Sequence, residues 1–187
     1  MQRRTILCLL PAALALGGCT PAHDGKADPT HSLFDLNAKL LDGKTQPLAT
    51  YRGKVLLVVN TASQCRYTPQ YEGLEKLYQT YRERGFLILA FPSNDFRGKE
   101  PGTAAEIGAF CRSRYGVTFP LFDKVNTIEP DASPLYRFLA KKHGPPQWNF
   151  HKYLIGKDGQ VIQAFKSELT PDTPAIHSAI ETALSAP

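Results

Sequence analysis

Cysteine and tryptophan are scarce in this chain, and its cysteines lack the pairings that would make them easy to place. Four cysteines stand at positions 8, 19, 65 and 111, and Trp148 is the only tryptophan. No Cys-x-x-Cys occurs, because the residue three after Cys65 is Thr68; that removes the signature of a dithiol oxidoreductase. Paired cysteines with a neighbouring histidine are also missing, and His143 and His151 lie far along the chain without ligand spacing. No metal site is indicated, and a metallochaperone is excluded. No apolar run reaches the ~20 residues that cross a bilayer. No internal repeat is present. Basic pairs such as Arg82/Arg84 and Lys141/Lys142 come without a recognition motif, so they read as solvated helix faces and imply no nucleic acid.

What is present begins with a targeting segment. Arg3 and Arg4 open it, Thr5 to Leu16 are mostly apolar, and Leu16-Gly17-Gly18-Cys19 closes it. That is a secretory signal over residues 1–18. The ending resembles a bacterial lipobox, which implies cleavage before Cys19 and diacylation of its sulfur; the alternative is an ordinary secretory peptide with an incidental cysteine. The chain is then expected to be an exported, periplasm-facing lipoprotein held to a membrane by its anchor. Thr20, where an Asp would signal retention, favours the outer membrane over the inner by resemblance to sorted lipoproteins. Arg3-Arg4 suits a twin-arginine signal and the basic start of any export signal alike, so both routes stay open. Residues 19–31 contain Pro21, Gly25 and Pro29 among polar residues and read as a flexible tether. Residues 32–187 suffice for one domain with a sizeable core. The formal net charge of +5 drops by two with Arg3 and Arg4, leaving an ordinary surface balance.

Within the domain, Leu33–Leu36 and Thr45–Leu48 around Asp42-Gly43 read as a short hairpin. Lys54–Asn60 carries five consecutive aliphatic residues, Val55 to Val59, the mark of a strand buried on both faces. Pro69–Arg84 repeats Tyr71, Leu74, Leu77, Tyr78 and Tyr81 on one side and is expected to be a helix. Thr68 is its expected N-cap, Pro69 its first residue and Gly85 its stop. Phe86–Phe91 completes a right-handed βαβ unit. A helix over Thr103–Tyr115, a short strand over Phe119–Phe122 and a helix over Ser133–Lys142 follow. Lys152–Ile155 and Val161–Phe165 flank Asp158-Gly159, a hairpin signal, and Pro174–Leu184 ends the chain as a helix. This order describes an α/β, thioredoxin-like fold with a central mixed sheet flanked by helices.

Cys65 falls between the first buried strand and the first helix. Unpaired backbone N–H groups and the positive end of a helix dipole favour the reactive thiolate there. The other reading of a lone cysteine is a buried structural one; polar neighbours and the adjoining Arg66 suit a reactive thiol better. With Cys8 in the signal and Cys19 lipidated, Cys65 and Cys111 remain, and in an exported protein such a pair can also be a structural disulfide.

Taken together, these segments resemble the glutathione peroxidase family. The matching residues are Asn60-Thr61-Ala62-Ser63-Gln64-Cys65 with Thr68 and Tyr71, then Phe91-Pro92-Ser93-Asn94-Asp95-Phe96, Glu100-Pro101-Gly102, Tyr115-Gly116-Val117-Thr118-Phe119-Pro120, Pro134-Leu135-Tyr136 and Trp148-Asn149-Phe150. The resemblance implies a thioredoxin fold and reduction of hydrogen peroxide and organic or lipid hydroperoxides by Cys65, in defence against oxidative stress. It places the indole N–H of Trp148 and the amide of Asn149 beside the sulfur as donors to the leaving oxygen, each of a kind worth ~3 kcal/mol in a transition state. Asp95 stands where the family usually has glutamine. An ionised carboxylate only accepts hydrogen bonds. Asp95 therefore donates when protonated, turns away with Asn94 or backbone in its place, or lowers activity; an outward carboxylate held by Arg66 and Arg97 is the expectation. Cys111 matches the resolving cysteine of the family's two-cysteine branch, which implies a redox-active disulfide with Cys65 and a thioredoxin-like protein or glutathione as co-substrate, with no prosthetic cofactor. Gly108 either loosens the Cys111 helix or permits close packing. The short interval from Tyr136 to Trp148 implies a monomer with an open site. The competing classes are a thioredoxin-like thiol–disulfide oxidoreductase and a non-catalytic lipoprotein with a structural Cys65–Cys111 disulfide.

Overall fold

The computed structural model describes residues 31–187; the signal segment, the Cys19 lipidation site and the tether up to residue 30 lie outside the described residues. The elements are β1 (Asn37–Lys39), β2 (Thr45–Pro47), β3 (Val55–Thr61), α1 (Gln70–Tyr81), β4 (Phe86–Pro92), α2 (Ala104–Tyr115), α3 (Pro134–His143), β5 (Lys152–Ile155), β6 (Val161–Phe165) and α4 (Pro174–Ser185). The main sheet has the order β4-β3-β5-β6, and β1 and β2 form a separate hairpin. β3 pairs parallel with β4 and antiparallel with β5, so the sheet is mixed.

Every residue of β3 is buried, and its alternation divides the interior. Val55, Leu57 and Val59 join the core built with Leu74 and Leu77 of α1, Ile107 of α2 and Ile176 and Ile180 of α4. Leu56 and Val58 join the core under Leu135 and Leu139 of α3. A period of two on one strand thus fills both faces of the sheet.

Local chemistry sets the ends. Thr103 and Glu106 close a capping box on α2, and Ser133 caps α3 ahead of Pro134; each cap contributes ~1 kcal/mol. Gly85 and Gly116 end their helical segments in the left-handed region. Gly159 has φ +82 in the β5–β6 turn, and a side chain there would collide with Ser32 and Phe34.

Three expectations need correction. Leu33–Asp35 is a 3-10 turn, not a strand, because Ser32 and Asp35 form their own capping box; the first hairpin arm is Asn37–Lys39. Thr68 does not cap α1. Its Oγ1 accepts from Cys65 N at 2.9 Å and donates to Ala62 O at 2.9 Å, and the helix starts two residues later. Phe119–Phe122 is not a strand: only isolated bridges, Leu121 to Ala90 and Phe122 to Leu40, attach it.

Candidate active site

Cys65 lies on the turn that leaves β3 at Thr61 and enters α1 at Gln70. The turn is cross-braced through one hydroxyl, because Thr68 Oγ1 ties Cys65 N to Ala62 O. Cys65 O accepts from Thr68 N at 3.0 Å, and Tyr67 N donates to Cys65 Sγ at 3.4 Å. A backbone N–H held by a closed turn is a preorganised partner for a sulfur anion. Cys65 keeps 9% of its surface exposed, whereas Cys111 keeps none. Only the first has a surface that an incoming oxidant can meet.

A second loop braces the first. Gln64 N donates to Lys99 O at 3.0 Å, and Ser63 Oγ donates to Glu100 Oε1 at 2.5 Å. Asn94 Oδ1 accepts from Glu100 N at 2.8 Å. Glu100 is fully buried, and burial raises its pKa above the ordinary carboxylate value, against the lowering by Ser63. A groove of about 470 Å³ runs here between Ser63, Gln64, Pro101, Gly102, Ile107 and Phe110.

Asp95 is turned to neither arginine. Its Oδ2 accepts from Thr127 N at 2.5 Å and Thr127 Oγ1 at 2.9 Å. Arg66 donates to Tyr67 Oη at 2.7 Å and stacks on that ring, and Arg97 lies over Trp148. The expected Arg66 and Arg97 clamp is absent because the arginines find aromatic faces while a buried Thr127 offers two neutral donors. Asp95→Ala strands the Thr127 N–H, which sits in a residue 1% exposed. The expected outcome is a loss of about 1–3 kcal/mol in urea denaturation, with the reactivity of Cys65 toward peroxide unchanged.

Trp148 packs against the core cluster that contains Cys65. Its ring lies 5.6 Å from Phe96, and with Arg66, His151 and Lys166 it lines a polar groove of about 390 Å³. Trp148 Nε1 and both amide atoms of Asn149 are buried with no hydrogen-bond partner among the described residues. Buried polar groups are normally satisfied, so the indole and amide are candidate donors to a ligand; Tyr71 Oη, Tyr136 Oη and His151 Nε2 are open in the same way. Asn60, the next-to-last residue of β3, holds their segment: its Nδ2 donates to Trp148 O at 3.1 Å, and its carbonyl accepts from Phe150 N at 2.6 Å. One strand end therefore governs both the Cys65 turn and the Trp148–Asn149 corner.

Cys65 and Cys111 are free thiols. Cys111 sits inside α2, where burial pushes its thiol up to about 11; the Tyr71 hydroxyl and Arg112 lower it, and Glu100 raises it further. The sign for stability follows. Between pH 9 and 11 the unfolded chain has lost this proton while the folded chain keeps it, so stability falls as pH rises through that window. Guanidinium denaturation from pH 8.5 to 11 is expected to lose on the order of 2 kcal/mol more in the wild type than in Cys111→Ala. Gly108, one turn before Cys111, would place a Cβ 3.1 Å from Leu41 Cδ1, so it permits close packing of α2 on the β1–β2 connection.

Sequence reasoning missed Thr127 as the partner of Asp95, since nothing local links two residues so far apart. It also gave no part to Lys152, although a lysine at the head of an otherwise apolar strand is an anomaly visible in the sequence.

A profile described as glutathione peroxidase matches residues 33–140. The chain belongs to the glutathione peroxidase family. It is 46% identical over 146 residues to a glutathione peroxidase of Lactococcus lactis subsp. cremoris, covering 75% of this chain and 93% of that one. A hydroperoxy fatty acid reductase of Synechocystis sp. is 45% identical over 157 residues, 78% of this chain and 93% of the relative. The apo crystal structure of Trgpx superposes with a TM-score of 0.70 at 36% identity, covering 84% of this chain and 98% of that one. A thioredoxin-family thiol:disulfide interchange protein from Chlorobium tepidum shares only the fold, at 17% identity and a TM-score of 0.60 over 80% of this chain and 93% of that one. The fold is thioredoxin-like, and the enzyme is a peroxidase of this family.

Proposed function

We propose that Cys65 is the peroxidatic residue of a thiol peroxidase that reduces hydrogen peroxide and organic or lipid hydroperoxides. The observation that carries the reading is the Cys65 turn, with Tyr67 N–H on the sulfur and the open donors of Trp148 and Asn149 on the neighbouring corner. The thiolate attacks one peroxide oxygen, an S–O bond forms and the O–O bond breaks. The leaving oxygen takes a proton and departs as alcohol or water, with the indole and amide stabilising its charge. Cys65 is left as a sulfenic acid. Cys111 attacks that sulfur, water leaves, and a disulfide forms; a dithiol co-substrate then restores both thiols and is itself oxidised.

The co-substrate is a thioredoxin-like protein in preference to glutathione, because a second cysteine lies within the same core. The lipobox ending at Cys19 supports an exported lipoprotein at the outer membrane, and the short Tyr136–Trp148 interval supports a monomer with an open site. Both suit hydroperoxides of membrane lipids. Turnover measured side by side with glutathione, thioredoxin and a periplasmic thioredoxin-like protein, against hydrogen peroxide and a phospholipid hydroperoxide, tests the reading. A chain that consumes no peroxide with any of them defeats it.

A further inference from the structure

β5 begins with a charge that its surroundings do not call for. Lys152 is fully buried, and its Nζ donates to Phe150 O at 2.7 Å and Leu169 O at 2.9 Å. Among the described residues no ion pair neutralises it. An apolar residue at this strand position would fill the space without burying an ammonium, at the cost of two buried carbonyls left without a donor. Packing alone therefore does not account for the lysine.

Its two bonds do. Phe150 has φ +68, a left-handed conformation rare for a bulky aromatic and retained only where the surroundings enforce it. The enforcement is visible on both sides of the residue. Phe150 N is held by Asn60 O at 2.6 Å, its carbonyl by Lys152, and the preceding Trp148 O by Asn60 Nδ2. Its ring is wedged edge-on against Tyr71 at 5.3 Å. Without the ammonium, the Phe150 carbonyl has lost the donor that fixes its direction, and the Phe150–His151 peptide plane, one residue past Asn149, loses that restraint.

We propose that Lys152 is a positioning residue for peroxide reduction: its ammonium fixes the left-handed corner at Phe150 and so presents Trp148 and Asn149 to Cys65. This deepens the reading given above for those two donors and rests on it. The groups acting on Lys152 are few. Burial lowers it to about 7 and the Glu168 carboxylate pushes the other way. His151 beside it is itself lowered to about 4, by burial first and then by Lys152, with Lys166 adding to that effect and Glu168 opposing it; it is neutral wherever Lys152 titrates. As pH rises through about 7 the ammonium loses its charge, and charge-assisted bonds to the two carbonyls weaken.

The test is Lys152→Met in the full chain. Displacing catalytic donors by about an ångström slows a reaction by roughly 10²-fold, so single-turnover oxidation of Cys65 by peroxide is expected to slow about 10- to 100-fold. Alkylation of Cys65 by iodoacetamide, which needs no donor to a leaving oxygen, stays at the wild-type rate. The melting temperature falls modestly, because Phe150 O and Leu169 O lose their donor, and the emission of Trp148, the sole tryptophan, shifts. The wild-type oxidation rate carries a falling limb near pH 7 that the variant lacks. A folded variant with wild-type oxidation rate and emission overturns the proposal. Should the variant not fold, Lys152→Gln, whose neutral amide keeps a donor, is measured by the same readouts: slower oxidation with shifted Trp148 emission supports it, and wild-type values of both overturn it. The two readings fail separately. A wild-type chain inert to peroxide defeats the peroxidase assignment, whereas an active wild type with an equally active variant defeats only the positioning role.

Discussion

Cys65→Ser is expected to lower single-turnover peroxide consumption by at least about 10³-fold, the scale seen when a nucleophile is removed from an enzyme that otherwise keeps its binding groups. A serine hydroxyl is not ionised in the range where a thiol is, and it is a poor nucleophile toward oxygen. The substitution leaves the turn intact, because the bonds that shape it run through Cys65 backbone, to Thr68 Oγ1 and from Thr68 N. An unchanged circular dichroism spectrum and melting temperature therefore accompany the loss. Stopped-flow peroxide consumption checks the rate. A residual rate above a tenth of the wild type would move the chemistry to Cys111, the other free thiol among the described residues.

Much of this fold is legible in the sequence, because the strongest signals are periodic. Five aliphatics in a row at Val55–Val59 permit little except a central strand, and the Tyr71, Leu74, Leu77, Tyr81 stripe permits little except a helix laid on it. The misreadings fall where one hydrogen bond outweighs a pattern. Leu33-Phe34 looks strand-like, yet the reciprocal bonds of Ser32 and Asp35 curl it into a 3-10 turn. Thr68-Pro69 looks like a cap and first turn, yet the Thr68 hydroxyl has closer partners in Cys65 and Ala62. Phe119–Phe122 has strand composition but touches its neighbours through isolated bridges only.

The site is legible to a different depth. Cys65, Trp148 and Asn149 stand out as residue types that suit one reaction, and the strand end at Asn60 is what links their two segments in space. The supports are not legible in the same way. Thr127 meets Asp95, Glu100 meets Ser63, and Lys152 meets Phe150 and Leu169. Apart from Lys152 with Phe150, these partners are far apart in sequence, and local spacing carries no information about them. Their identities could be suspected only from incongruity, such as a lysine or a glutamate with an apolar destiny.

Cys111→Ser is expected to separate the two halves of the catalytic cycle. The first oxidation of Cys65 keeps its wild-type rate, while steady-state turnover with a thioredoxin-type dithiol falls about 10²-fold and a Cys65 sulfenic acid becomes trappable before it over-oxidises. Placement argues that the second half is the slower one. Cys111 is fully buried on α2, and burial pushes its thiol up to about 11, so the protonated form dominates at pH 7. A resolving attack from this buried position is expected to go with an opening of α2 around Ile107–Cys111. Opening removes the burial that holds the proton on, so exposure and activation of the thiol come from the same motion. Gly108 lies in that segment. Its lack of a side chain weakens the helix by ~1 kcal/mol relative to Ala, and it rests against Leu41, which an added methyl would crowd. Dithiol-coupled turnover is thus expected to rise with pH above neutrality while the first oxidation does not follow it. Undiminished thioredoxin-coupled turnover in Cys111→Ser would remove the resolving role altogether, leaving the sulfenic acid on Cys65 to be reduced directly by the co-substrate.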